Sequence, residues 1–303
     1  MFIRRSDSTG PKKKVAIPKV ASPAVLRDWV ETLSVPRHFF RESAENRRIA
    51  LWLHDTLKSW GYEVSFHGQS RNVIATPPGL RGSAMLVGAH YDSVPGCPGA
   101  DDNASAVAAM LATALACGAR VPVVFAAFNR EEDGLIGSRE FVAETLPTLP
   151  WSIRKAHILE MLGYASHAPG SQRIPDGLPK LPIAMPTVGN FLGLLANGVS
   201  SACLRDVVAI ARGSLPALPV FGLEVRLGLE RFLPVLQRSD HVPFWERKIP
   251  AVMWTDTSEF RNPHYHLASD TPDTLDYDFL HSVSALCAAC ALDRGEWQTV
   301  ADP

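Results

Sequence analysis

The chain of 303 residues carries 30 Lys plus Arg against 31 Asp plus Glu, a net charge of -1, and is 46% hydrophobic. This balance leaves no electrostatic case for nucleic acid or an anionic membrane surface, and no apolar run approaches the ~20 residues needed to span a bilayer. An odd count of five cysteines is no disulfide framework, so a soluble, cytoplasmic chain with a small-molecule partner is expected.

The amino terminus, through Lys12, Lys13 and Lys14, lacks the long apolar segment of a secretory signal. Residues 1–20 therefore read as a flexible, solvated tail, and 21–303 as one α/β domain with a large core. Ser22 followed by Pro23 predicts a helix start, and Val25, Leu26, Trp29, Val30 and Leu33 share one helical face. A second helix is predicted from Ser43, with Ile49, Ala50, Leu53, Leu57 and Trp60 inward and Gly61 as its cap. The alternating run 62–67 and the β-branched run 72–76 predict an antiparallel hairpin at a sheet edge.

Three apolar runs then each end in residues able to bind metal. Leu86-Val87-Gly88-Ala89 runs into His90-Tyr91-Asp92; Val123 to Phe128 runs into Asn129-Arg130-Glu131-Glu132; and Ile158-Leu159 runs into Glu160. A helix-forming stretch, Ala104 to Ala116, separates the first two, and a helix around Gly137 to Glu144 the next two. The series reads βαβαβ, hence a parallel sheet core whose site lies outside the carboxyl ends of its strands.

From Ser166 to about Pro234 the composition turns Pro- and Gly-rich, with Ile174, Leu178, Leu181, Ile183, Met185 and Phe191 interspersed and a helix near Ala202 to Ala211. This segment is expected to be an inserted lid or binding loop. Beyond it come Ser239-Asp240-His241, an apolar strand ending at Thr255, His264 and His266, and a closing helix from about Phe279 to Leu292. Cys287 and Cys290 fall within that helix and read as part of its buried face, while Cys97 lies between two of the ligand segments.

Imidazole and carboxylate donors suit zinc, and two divalent ions need a carboxylate that bridges them. The expected arrangement puts Glu132 and His266 on one ion, His90 and Glu160 on the other, and Asp102 between them, with Asp101 competing for that place. Glu131 is then free to act as general base, and Asp92 to hold the imidazole of His90. His264 and His266 alternate, so an extended loop would point both the same way. Asp240 and His241 are candidate substrate-binding or supporting residues, with a helix N-cap as the plainer role for Asp240.

In order along the chain, His90-x-Asp92, Gly99-Ala-Asp-Asp-Asn-Ala-Ser105, Glu131-Glu132-x-Gly134-Leu135-x-Gly137-Ser138, Glu160-Met-x-Gly163, Ser239-Asp-His241 and Tyr265-His266-x-x-x-Asp270-Thr271 resemble the co-catalytic zinc aminopeptidases of peptidase family M28. Glutamate carboxypeptidases and glutaminyl cyclases are relatives of that family. The resemblance runs over roughly residues 40 to 292. It implies a three-layer αβα fold with a mixed, mostly parallel sheet, two zinc ions on the ligands just named, Asp102 and not Asp101 as the bridge, and a cis peptide after Asp102. Many members carry Asp where this chain has Glu160, one methylene longer.

The expected activity is a metallopeptidase, an exopeptidase removing N-terminal residues from small peptides. The alternatives are a glutaminyl-peptide cyclotransferase using one zinc, a carboxypeptidase or dipeptidase of the same fold, and a non-catalytic peptidase-like binding domain. The apolar residues of the inserted segment favour an apolar first-residue pocket, whereas Arg173, Lys180 and Arg205 are the basic residues that could take a substrate carboxylate.

Overall fold

Apolar runs with no polar alternation need cover on both faces, and they form the middle of one mixed sheet in the computed structural model, which describes residues 1–7, 10–174 and 185–293. Its strands are β1 (Phe2–Arg5), β2 (Glu63–His67), β3 (Asn72–Thr76), β4 (Gly82–His90), β5 (Val123–Phe128), β6 (Trp151–Glu160), β7 (Leu192–Asn197), β8 (Val220–Val225) and β9 (Ala251–Thr255). Their spatial order is β1-β8-β7-β9-β6-β4-β5-β3-β2. β4 lies parallel to both β5 and β6, and β6 parallel to β9, so four central strands send their carboxyl ends to one edge. The flanks reverse direction: β3 is antiparallel to β5, and β7 to β9.

Along these strands alternate side chains enter two separate apolar clusters. Met85, Val87, Val123 and Phe125 face one, together with residues from α1 (Pro23–Leu33), α2 (Ser43–Ser59), α3 (Ala106–Cys117), α5 (Ser201–Ser214) and α7 (Tyr277–Ala291). Leu86, Val124, Ala126 and Phe128 face the other, covered by Phe141 and Val142 just beyond the short helix α4 (Ile136–Glu140), and by Phe244 and Trp245 of α6 (His241–Glu246). Helices on both faces explain why the central strands carry no polar stripe. The predicted helix starts hold: Ser22 accepts the Val25 N–H with Pro23 in the first turn, and α1 buries Leu26, Val30 and Leu33. Cys287 and Cys290 are unpaired and buried on α7, as part of its apolar face.

Two expectations change. Phe2–Arg5 of the supposed tail is a strand, paired antiparallel with β8 along Phe2 to Arg5. An otherwise unpaired edge strand offers such a template, and Arg4 adds an ion pair to the buried Glu224. The segment 166–234 is also less of a lid than its composition suggests. Leu192–Asn197 and Val220–Val225 extend the sheet, joined by α5, which packs on one face of it, and β7 and β8 are buried throughout. The irregular stretches that flank them are what remains of the expected loop. Leu178, Lys180, Leu181 and Ile183 lie outside the described residues.

Candidate metal and catalytic centre

The carboxyl ends of β4, β5 and β6 bring His90, the Glu131–Glu132 pair and Glu160 to one edge, as a parallel core requires. His90 Nε2 lies 3.2 Å from Asp102 Oδ1 and 3.4 Å from Glu160 Oε1. His266 Nε2 lies 3.1 Å from Asp102 Oδ2 and 3.5 Å from Glu132 Oε2. Asp102 is thus the carboxylate placed between two histidines, one oxygen toward each. Asp101 is turned the other way, accepting from Asn262 Nδ2 (2.6 Å), Gly163 N (2.8 Å) and Ser105 Oγ (3.1 Å). The peptide between Asp102 and Asn103 is cis, as the family resemblance implies. Asp270 accepts the N–H groups of Asp101 (2.9 Å) and Asp102 (3.1 Å), and Asn103 ties the turn to Leu159 and Met161 across β6.

Asp92 does more than its spacing suggests. Its Oδ1 lies 3.4 Å from His90 Nδ1, but the carboxylate also accepts the backbone N–H groups of Glu131 (3.2 Å) and Glu132 (3.3 Å). One buried aspartate therefore orients both the imidazole and the Glu-Glu loop. Asn129 secures the start of that loop by donating to Tyr91 Oη (2.7 Å) and Ser70 O (2.8 Å). Gly137 closes it, since a Cβ there would lie 2.0 Å from Asn129 O. Ser239, quoted only as part of a motif, donates to Glu160 Oε2 at 2.6 Å. A serine next to an acidic residue carries no sequence signal for this, because its partner lies 79 positions away.

The electrostatics are those of an acidic cluster with too few cations. Burial and the neighbouring charges of Glu160, Glu132 and Asp240 raise Glu131 well above the ordinary carboxyl range against the pull of His90. Glu132 is raised likewise, by burial first and then by Asp102. Asp102 goes the other way: burial opposes its charge, but hydrogen bonds from His266 and His90 outweigh it and lower its pKa. For His90, burial disfavours the charge, yet Glu160 and Glu131 raise its pKa well above the usual imidazole value. Glu132 Oε1 is buried without a hydrogen-bond partner among the described residues. Ligand atoms of His90, Asp102 and Glu132, and separately of His90, Glu131 and Glu160, come within 4.8 Å of one another. A buried acceptor without a donor, amid three further carboxylates, is chemically suited to divalent cations.

Three sequence expectations are corrected. His264 and His266 do not point together, because the chain is not extended there: His266 has φ +58°, and the His264 ring turns to Ser269 Oγ (3.0 Å) and packs against Tyr164. His241 is engaged within the fold, its Nε2 donating to Leu236 O at 3.0 Å and its ring edge-on to Trp245; burial pushes its pKa down to about 4. Asp240 stands at the start of α6 but its side chain makes no capping bond. It is buried behind the cluster, where burial pushes its pKa up to about 7 against the pull of His90. Neither residue lines the cavity.

That cavity opens directly from the cluster. Asp102, Glu131, Glu132, Glu160 and His266 form one end, and Leu195, Leu223, Val235, Leu236 and Met253 line the rest, with Phe221 and Phe191. β7 and β8, the strands missed in the sequence, supply much of this apolar lining. At the rim Arg238 pairs with Glu259 and donates to Tyr265 Oη at 2.9 Å. Arg173 Nη2 donates to the carbonyl oxygen of Glu259, and the Arg173 backbone N–H to that of Phe260 (2.8 Å). Arg205 lies elsewhere, on α5, bonded to Ser201.

Comparison with known proteins is in keeping with this arrangement. "Uncharacterized protein YfbL" of Escherichia coli is 32% identical over 289 residues, covering 88% of this chain and 86% of that one. "Probable lipoprotein aminopeptidase LpqL" of Mycobacterium tuberculosis is 30% identical over 229 residues, 69% of this chain but 42% of its own length. The crystal structure of LapA from Legionella pneumophila superposes with a TM-score of 0.68 over 89% of this chain and 72% of that one; at 19% identity the likeness concerns the fold. The sequence profile of Peptidase family M28 matches residues 72–181 and 226–291, more than half the chain and every residue of the acidic cluster, so this chain belongs to Peptidase family M28.

Proposed function

We propose that this chain is a metal-dependent aminopeptidase that removes apolar N-terminal residues from small peptides. The observation that carries the reading is the single cavity in which an acid-histidine cluster continues into an apolar pocket of Leu195, Leu223, Leu236 and Met253. In this reading Glu132 and His266 would hold one divalent ion and His90 and Glu160 the other, with Asp102 shared between them; Zn2+ suits such nitrogen and oxygen donors. Such ions would supply Lewis-acid chemistry there, polarising the scissile carbonyl and lowering the pKa of the attacking water. Glu131 takes the proton of that water on its carboxylate and returns it to the leaving amine. Asp92, holding the N–H groups of Glu131 and Glu132, keeps that carboxylate at its station. Ser239 fixes the second oxygen of Glu160, which supports this longer side chain as the ligand where aspartate is usual.

The pocket's arginines favour an aminopeptidase over a carboxypeptidase. Recognition of a substrate carboxylate calls for a free bidentate guanidinium, whereas Arg238 is committed to Glu259 and Tyr265, and Arg173 turns Nη2 to the Glu259 carbonyl. The test is to assay leucyl and phenylalanyl amides beside N-blocked peptides with a free carboxylate. Cleavage of the amides is expected; cleavage of the blocked set alone would overturn the aminopeptidase reading.

The histidines give a sharper check on the ion sites. His266→Ala should lower metal content and thermal stability together, because bound metal contributes folding free energy. His264→Ala should leave the metal content at the wild-type level, its ring being engaged with Ser269. Metal analysis of both purified variants decides the matter, and the reverse pattern would exchange the two roles.

A further inference from the structure

Arg37 sits between α1 and α2 and is wholly buried. Among the described residues its guanidinium meets no carboxylate directly. Nε donates to Tyr91 O (2.7 Å), Nη2 to Gly99 O (3.0 Å), and Nη1 to Val35 O (3.2 Å) and Pro98 O. The backbone N–H of Arg37 donates to Ser93 Oγ (3.1 Å), and its carbonyl accepts from Asn46 Nδ2 (2.8 Å). Tyr91 stands between His90 and Asp92. Gly99 opens the turn that carries Asp102, and a Cβ at Gly99 would lie 3.2 Å from Arg37 Nη1 and 2.3 Å from Asp102 O. A single planar group therefore spans the two backbone segments that bring His90, Asp92 and Asp102 together.

Burying a guanidinium among neutral carbonyls is costly, and a core strut could be built from apolar side chains instead. Burial does lower the pKa of Arg37, with Asp92, Asp102 and Asp270 opposing it through their charges. What an apolar residue cannot do is hold several carbonyls of separate segments at fixed spacing, which the rigid fork of arginine does. We propose that Arg37 is a positioning residue for the metal centre: its fork sets the distance between the His90–Asp92 strand end and the Gly99–Asp102 turn, and so places Asp102 opposite His90. The proposal rests on the two-ion reading above.

The test is a comparison of wild type with Arg37→Lys, which keeps the charge but loses the fork, and Arg37→Met, which loses both. Zinc affinity is measured by competition with a chromophoric chelator, and thermal unfolding is followed in the metal-free and zinc-loaded protein. Both variants should lose zinc affinity by about tenfold or more, the usual effect of removing a group that orients ligands. The fall in Tm should be larger in the loaded protein than in the metal-free one, since weaker binding contributes less to stability. Equal falls in Tm with unchanged affinity would make Arg37 a strut of the fold and overturn the proposal. Full affinity in Arg37→Lys with loss in Arg37→Met would assign the effect to charge, and also overturn it. A gain of affinity in Arg37→Met would do the same, since removing a nearby positive charge favours cations. Should neither variant fold, Ser93→Ala removes the acceptor of the Arg37 N–H together with a bond to Cys97 O, and Ser93→Cys, which keeps a weak donor and acceptor there, is read beside it: affinity reduced in Ser93→Ala and partly restored in Ser93→Cys, at an unchanged metal-free Tm, supports the proposal, and unchanged affinity rejects it. Wild-type protein that binds no zinc would reject the two-ion reading itself, a different failure.

Discussion

Replacing Glu131 by Gln should lower kcat by roughly 10²–10⁴-fold while leaving the metal content at the wild-type level. The substitution keeps size and shape but removes the one carboxylate of the Glu-Glu pair that lies away from His266. Glu131 is nearly buried and its backbone is fixed by Asp92, so the amide should occupy the same place. In the metal-free cluster, burial and the carboxylates of Glu160, Glu132 and Asp240 push its pKa up, against His90. Divalent cations nearby would reverse that balance and restore the ionised form that a base requires. Kinetics alone would not distinguish a base from a ligand, because Glu131 also falls within reach of His90 and Glu160. The two measurements together do: loss of turnover at full metal content identifies the base, and loss of one ion per chain makes Glu131 a ligand. Near-normal turnover would remove it from the chemistry.

The central fold was legible because its physics is local. Val123 to Phe128 is apolar at every position, which only a strand covered on both faces requires, and the alternation with helices made the sheet parallel. From that alone His90, Glu131, Glu132 and Glu160 had to share an edge. β7 and β8 were hidden for the opposite reason. Leu192-Gly-Leu-Leu-Ala-Asn197 and Val220-Phe-Gly-Leu-Glu-Val225 each contain a glycine and lie in Pro-rich surroundings, so their strand character comes from pairing with β9 and with each other. Gly193 and Gly222 mark close approaches, where a Cβ would meet Thr255 O at 3.0 Å and Leu204 Cδ1 at 2.9 Å. His241 misled through its motif, since its neighbours Asp240 and Ser239 do approach the cluster while the helical turn carries its own ring to Trp245. Arg37 left no trace in the sequence at all. Its role depends on carbonyls at positions 91, 98 and 99, which any residue would supply.

Asp102→Asn should empty the centre of metal, whereas Glu132→Gln should weaken one side of it. Asp102 is the carboxylate within 3.2 Å of both His90 and His266, so its neutral amide withdraws negative charge from both proposed ion sites at once. The amide also has one oxygen where the carboxylate has two, so it can serve only one side as an acceptor. The turn itself should survive, because its N–H groups are held by Asp270 and its neighbour Asn103 by Leu159 and Met161, none of which uses the Asp102 side chain. Loss of the ions removes several kcal/mol of transition-state stabilisation, or roughly 10³-fold or more in kcat/KM. It should also abolish the rise in Tm that zinc gives the wild type, leaving the metal-free and zinc-treated variant alike. The checks are metal per chain after dialysis against buffered zinc, and unfolding with and without it. Glu132→Gln leaves His90, Glu160 and Asp102 intact and should retain about one ion. Two ions per chain in Asp102→Asn would mean that the bridge lies elsewhere. Of the nearby carboxylates, Glu131 would then be the group to test, since Asp101 is already held by Asn262, Gly163 and Ser105.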